Sequence, residues 1–207
     1  MESKESNNIE KDSEPIKIIL IGDSGTGKTN LITVSAGYEF NSNALTTRAC
    51  SFIQKTFIKN NKEVKVNIWD TIGQEKYRQL TKLFFNNSKI VIFVYDITVY
   101  KSFTVLKSWH QELVEQVGND IIKGVVANKN DLYENEKVKQ NEAEEFAESI
   151  NAKFLSISAK KDLPEKFEDF IRALLIEYIT KGIDDDDNKI SIRGGGNNDD
   201  VKKNCCK

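Results

Sequence analysis

The chain has 207 residues, enough for one domain with a full apolar core and a tail. It carries 30 basic and 32 acidic residues, a formal net charge of −2, which excludes the clear positive excess of a nucleic-acid binder. Three cysteines (Cys50, Cys205, Cys206) and one histidine (His110) exclude a disulfide framework, zinc-type spacing and a multi-histidine metal centre, and point to a reducing compartment.

Residues 1–14 are polar, rich in Asn, Glu and Ser, and read as a disordered leader rather than a secretory signal. After Pro15, the short isoleucine-rich run Ile16 to Ile21 reads as a buried strand that ends at Gly22. A Gly-rich turn and a helix over about 27–36 follow. Residues 51–59 and 63–70 read as two strands joined at Lys59-Asn60-Asn61-Lys62. Ile90–Tyr95 is another buried strand and the longest apolar run, far short of the ~20 residues of a membrane span. Phe103, Leu106, Leu113 and Val117 give 102–117 a helical period. Ile122–Ala127 reads as a strand. Asn141, with Glu144 three residues on, reads as a capping box opening a helix with Ala143, Phe146, Ala147 and Ile150 on one face. Residues 153–157 read as a short strand. Pro164 sits near the first turn of a last helix, where its missing N–H does no harm. The pattern stops near Lys181. This alternation predicts an α/β domain over 15–181 with a mostly parallel sheet, and a disordered tail over 182–207 that lacks large apolar residues.

Four motifs fall at predicted strand ends. Gly22-Asp23-Ser24-Gly25-Thr26-Gly27-Lys28-Thr29 fits G-x-x-x-x-G-K-[ST] between a strand and a helix. Its glycines let backbone N–H groups converge on a phosphate, with the positive end of a helix behind them. Lys28 would reach the β and γ phosphates, and the Thr29 hydroxyl suits Mg²⁺. In Asp70-Thr71-Ile72-Gly73-Gln74-Glu75, Asp70 suits the Mg²⁺ shell, the Gly73 amide suits the γ phosphate, and Gln74 suits orientation of an attacking water. Asn128-Lys129-Asn130-Asp131 places a carboxylate, Asp131, where it can accept both adjacent donors of guanine, a pair that adenine lacks. In Ser158-Ala159-Lys160 a backbone N–H can meet the guanine carbonyl. Each of the last three is weak alone. All four in order, at the carboxyl ends of strands, specify a nucleotide site.

On these residues the chain resembles, over 16–180, the small GTPases of the Ras superfamily and, within them, the Rab branch. Trp69-Asp70-Thr71-Ile72-Gly73-Gln74-Glu75-Lys76-Tyr77-Arg78 is similar to a Rab switch II. Val94-Tyr95-Asp96-Ile97-Thr98 followed by Ser102-Phe103 is similar to the Rab stretch after the fourth strand, and Cys205-Cys206-Lys207 to doubly geranylgeranylated ends. The resemblance implies a P-loop small-GTPase fold with a mostly parallel six-stranded sheet and helices on both faces. It implies GTP or GDP and Mg²⁺ as ligands. Nucleotide contacts would come from Asp23, Ser24, Gly25, Thr26, Gly27, Lys28, Thr29 and Asn30, with Phe40 stacking on guanine. Thr47 would join Thr29 and Asp70 at the metal. Gly73, Asn128, Lys129, Asp131, Ser158, Ala159 and Lys160 complete the set, and Gln74 and Lys28 would serve hydrolysis.

The expected partners are effectors at switches I and II, a GTPase-activating protein, an exchange factor, a GDP-dissociation inhibitor, and the escort protein and transferase that prenylate Cys205 and Cys206. The protein is expected to be a monomer that binds no nucleic acid and cycles between the cytosol and the cytosolic face of endomembranes. Three departures stand out: Arg48-Ala49-Cys50-Ser51-Phe52 in place of Ile-Gly-x-Asp-Phe, Ile72 in place of alanine, and Phe84-Phe85-Asn86-Asn87-Ser88 in place of Tyr-Tyr-Arg-Gly-Ala.

The leading expectation is a GTP-hydrolysing switch of membrane traffic. Its rivals are a nucleotide-gated binding module that barely hydrolyses, motivated by Ile72, and an ATP-using P-loop enzyme. Cys50 is expected to be inert, Asp23 structural, His110 a surface or half-buried residue, and Asp184–Asp187 a solvated acidic run. From Lys181 onward six basic residues meet six acidic ones, so the tail offers no net charge to a membrane and two lipids would be needed.

Overall fold

A computed structural model describes residues 14–42, 47, 51–59, 62–71, 78–182 and 192–193. The strands are β1 (Ile16–Ile21), β2 (Ser51–Lys59), β3 (Lys62–Asp70), β4 (Ile90–Asp96), β5 (Ile122–Asn128), β6 (Ala152–Ile157) and the two-residue β7 (Ile192–Arg193). The helices are α1 (Lys28–Ser35), α2 (Arg78–Leu83), α3 (Tyr100–Val117), α4 (Gln140–Ser149) and α5 (Pro164–Lys181), and a 3₁₀ turn spans Asn130–Asn135. They form one sheet in the order β6-β5-β4-β1-β3-β2-β7. β1 runs parallel to β3 and β4, β5 lies parallel to β4 and β6, and β2 returns antiparallel to β3. The six expected strands and their mostly parallel pairing are therefore present. β7, from the stretch read as a tail, pairs with Ile58 and Lys59 at the edge of β2.

The central strands are mostly apolar because both faces are covered, with Lys17 in β1 and Lys123 in β5 as interruptions. Side chains alternate along a strand. In β4, Ile90, Ile92 and Val94 pack on one face with Leu31 and Ile32 of α1 and Phe170, Ile171 and Leu174 of α5. Val91, Phe93 and Tyr95 pack on the other, with Phe103, Leu106 and Leu113 of α3 and Ala143 and Phe146 of α4. A third, smaller contact runs along the β3 end, where Trp69 lies 4.7 Å from Phe52 and 5.4 Å from Phe84 between ring centroids.

One expected helix start shifts. α4 begins at Gln140, and Lys139 caps it with extended backbone and no side-chain bond. Asn141 sits inside the first turn and is no cap. Gln140 starts the helix instead, its Nε2 donating to Glu144 Oε1 at 2.7 Å across one turn. Pro164 stands at the first position of α5, as its missing N–H requires.

His110 is half-buried, its ring edge-on to Phe93 and its Nε2 buried without a hydrogen-bond partner. Burial, helped by the charge of Lys123, holds its pKa below the ordinary histidine value. The unfolded chain therefore binds the proton more readily, so this site favours the folded state above about pH 6.5 and loses that advantage as pH falls through the folded value. Thermal midpoints measured from pH 7.5 down to pH 5.5, values of about one unit on either side of that point, should fall less in His110→Phe than in the parent. Parallel curves would remove His110 from the acid response.

Candidate nucleotide site

Three of the motif loops meet at the carboxyl ends of β1, β5 and β6, with Asp70 beside them at the end of β3. Order reverses beside β1, whose neighbours are β3 on one side and β4 on the other, and such a crevice is where open α/β sheets bind ligands. A cavity of about 420 Å³ opens there. Ser24, Gly25, Gly27, Lys28, Thr29 and Asn30 line it from the loop after β1. Phe40 and Thr47 line it from the segment after α1. Asn128, Lys129 and Asp131 supply the β5 side, and Ser158, Ala159 and Lys160 the β6 side.

The first loop needs its glycines at two points. Gly27 caps α1 in the left-handed region, and a Cβ there would stand 2.3 Å from Asn128 Nδ2. A Cβ on Gly22 would stand 2.0 Å from Val94 O. The Lys28 ammonium turns back to donate to Gly22 O at 2.8 Å and Asp23 O at 2.9 Å. An ammonium has three donors, so one remains to meet an anion. Burial pulls the Lys28 pKa down to about 8, while the Asp70 and Asp23 charges pull it up.

Thr29 Oγ1 donates to Asp70 Oδ2 at 2.7 Å and lies 2.9 Å from Thr47 Oγ1. Thr47 Oγ1 is also 3.3 Å from Asp70 Oδ2. Among the described residues, the second Asp70 oxygen, Oδ1, is buried without a partner. Burial pushes the Asp70 carboxyl above its ordinary pKa, against the pull of Thr29, Lys28 and Thr47. Two hydroxyls and an under-satisfied buried carboxylate form an all-oxygen donor set that fits a hard divalent cation such as Mg²⁺.

Asn128, 1% exposed, joins the loops. Its Nδ2 donates to Thr26 O at 2.8 Å, and its Oδ1 accepts from Lys129 N at 2.8 Å and Ala159 N at 3.2 Å. Ser158 Oγ donates to Asp131 Oδ1 at 2.6 Å and accepts from the Lys160 and Lys161 amides. Asp131 is thereby aimed, with lone pairs left for a ligand.

Asp23 and Thr26 do not line the cavity. Asp23 Oδ1 accepts the Ser24 amide at 2.8 Å, and Thr26 offers Asn128 its carbonyl. Asp70 acts through the two threonines. Ile72, Gly73, Gln74, Arg48, Ala49, Cys50, Asp184–Asp187, Cys205 and Cys206 lie outside the described residues, as do residues 1–13.

Sequence reasoning missed Asn41, Ser42 and Leu132, which also line the cavity, and Asp96. Asp96 ends β4, is 4% exposed, and accepts from Thr98 N at 2.9 Å, Thr98 Oγ1 at 2.7 Å and Lys129 Nζ at 2.6 Å. A carboxylate at the end of a wholly apolar strand was the signal for it. Asp96→Asn keeps the threonine contacts and removes the charge that holds Lys129. Because Lys129 is partly exposed, release of bound GDP should quicken only about 3- to 10-fold, read with a fluorescent GDP chased by excess unlabelled nucleotide. An unchanged rate would mean that Asp96 does not position Lys129.

A sequence model of the Ras family matches residues 17–176. Ras-related protein Rab-21 of Bos taurus is 38% identical over 161 residues, 77% of this chain and 72% of the relative. Ras-related protein Rab-31 of Mus musculus is 32% identical over 191 residues, 92% and 97%. GTP-binding protein ypt3 of Schizosaccharomyces pombe is 38% identical over 143 residues, 69% and 67%. These relatives do not favour a binding module that barely hydrolyses. With its loops joined at one cavity and this kinship along most of its length, the chain belongs to the Rab-type small GTPases of the Ras family, GTP-binding switches of vesicle traffic.

Proposed function

We propose that the cavity holds GTP with Mg²⁺, selects guanine through Asp131, and hydrolyses the terminal phosphate slowly until a partner assists. The observation that supports this most is the meeting of a phosphate loop, an oxygen-donor cluster and an aimed carboxylate in one crevice tied by Asn128.

The division of labour follows from the residues. The loop amides from Ser24 to Lys28 and the Lys28 ammonium take up phosphate charge. Thr29, Thr47 and Asp70 would hold Mg²⁺, which neutralises charge on the phosphate oxygens. Phe40 offers a ring to the base, and the β6 loop would release the Ala159 amide from Asn128 or the Lys160 amide from Ser158 to meet its carbonyl. Gln74 orients the attacking water, and the bond from the γ phosphorus to the bridging oxygen breaks to give GDP and phosphate. Among the described residues, no arginine lines the cavity. An arginine from an activating protein would then raise turnover by roughly 10³–10⁵. Thr47 and Gly73 stand in the two segments that would hold the γ phosphate and be released when it leaves, so effectors read the nucleotide state there.

Among the described residues, no helix is long and apolar enough to cross a membrane. Membrane attachment is assigned to geranylgeranyl chains that a transferase adds to Cys205 and Cys206 after delivery by an escort protein, and a GDP-dissociation inhibitor withdraws the lipidated protein from the membrane with its thioethers intact. One chain anchors marginally and the tail has no net charge, so both chains are needed.

Two outcomes test this reading. Asp131→Asn presents an amide to the guanine donors. GTP affinity should fall at least about 100-fold while xanthosine triphosphate gains, measured by competition with a fluorescent guanine nucleotide. Retained GTP affinity would move base recognition elsewhere. Cys206→Ser, tagged at the N-terminus and expressed in cells, should leave the membrane fraction for the cytosol. Unchanged flotation with membranes would show that one lipid suffices.

A further inference from the structure

Asp162 follows the β6 loop and precedes α5, and it lines no part of the nucleotide cavity. An acid at that place would ordinarily serve the helix behind it, because negative charge is favoured at a helix N-terminus. Yet α5 starts from Leu163 with no side-chain bond to its first amides. The Asp162 carboxylate turns the other way. Its Oδ2 accepts from the Ser158 amide at 2.8 Å, and the Asp162 amide donates back to Ser158 O at 2.9 Å. The turn from 158 to 162 is thus closed twice by one pair of residues.

That closure bears on the base. Ser158 is 1% exposed, so its backbone N–H has to be met within the protein. With the amide fixed, its Oγ is held where it donates to Asp131 Oδ1 at 2.6 Å. Asp162, Ser158 and Asp131 form a chain in which the first carboxylate aims the last. Lys166 braces it from the first turn of α5, its Nζ donating to the same Oδ2 at 3.0 Å. Burial pushes the Asp162 pKa up, but the Ser158 amide, Lys166 and the Asn130 side chain pull it below the ordinary aspartate value. Asp162 is therefore charged at neutral pH, and a charged acceptor makes the stronger bond.

We propose that Asp162 is a positioning residue for base recognition: by holding the Ser158 amide it keeps Asp131 aimed at both guanine donors. It touches no nucleotide itself. The inference rests on the assignment of base selection to Asp131. Two donors on one carboxylate demand a fixed direction, whereas a single donor tolerates a swing. Loss of aim should therefore cost guanine more than hypoxanthine, which has the ring N–H and lacks the exocyclic amine.

The test uses the full chain and compares GDP with inosine diphosphate by competition against a fluorescent guanine nucleotide. The parent should prefer GDP at least about tenfold. Asp162→Ala should cut that preference about fivefold. Asp162→Asn loses the charge but keeps an oxygen for the Ser158 amide, and should hold the preference within about twofold of the parent. Lys166→Met should change it less than about twofold, since both members of that ion pair are partly exposed. Deuterium exchange at the Ser158 amide should quicken in Asp162→Ala and not in Asp162→Asn. Equal weakening of both nucleotides in Asp162→Ala, or no weakening of either, would overturn the proposal. So would equal loss in the alanine and asparagine variants, which would place the effect in the charge ahead of α5. A parent that binds both nucleotides alike, together with Asp131→Asn that keeps GTP, would overturn the assignment to Asp131 and the inference with it.

Discussion

The Asn128 side chain carries the architecture of the site. One buried amide bonds the phosphate loop through Thr26, its own loop through Lys129, and the β6 loop through Ala159. These segments are far apart in sequence, and each would otherwise bury an unpaired backbone group. The contact is close enough that Gly27 has no room for a Cβ beside it. The loop that carries Asp131 and the glycine-rich loop after β1 are therefore joined through one side chain. A displacement of the β5 loop pulls on Thr26 and, through it, on the turn that receives phosphate. The expensive part of the joint is its desolvation: an amide at 1% exposure is worth keeping only if all its bonds are made.

Two charges are buried in the same crevice, and their pKa values are displaced in opposite directions. Lys28 is driven toward its neutral amine and Asp70 toward its neutral acid, in both cases first by burial. Each partly relieves the other, yet neither is fully paired, because Lys28 spends two donors on carbonyls and Asp70 keeps an orphan oxygen. An anion at Lys28 and a cation at Asp70 relieve both at once. A ligand that brings its own counter-charge would satisfy both, as the metal–triphosphate pair proposed above does.

The fold was legible where burial is two-sided. Ile16–Ile21, Ile90–Asp96 and Ile122–Asn128 are mostly apolar, interrupted by Lys17 and Lys123 and closed by Asp96 and Asn128, because helices cover both faces. The site was legible where chemistry demands a residue type at fixed spacing, as in the phosphate loop and the Asn128 motif. It was not legible where the partner is distant. Asp96 is one acid among 32 until Lys129 is brought beside it, and Leu132, Asn41 and Ser42 reach the cavity only because of how the chain turns. The helix cap at Asn141 failed for a local reason. Gln140 offers its own bond to Glu144 and the helix starts two residues early, a choice that residue types alone do not decide.

The β5 loop has two sides, and they differ in how completely they are satisfied. On the guanine side Asp131 is aimed by Ser158, whose own oxygen is filled by two amides. On the far side Asn130, the neighbouring residue, donates to Ser156 Oγ at 3.3 Å, and beyond it Tyr95 has no partner. Ser156 and Ser158 stand two residues apart at the end of β6, so both sides of the loop are referred to one strand. The half of the loop that carries Asp131 is tied to Ser158 at 2.6 Å, and the half that carries Asn130 meets Ser156 only at 3.3 Å.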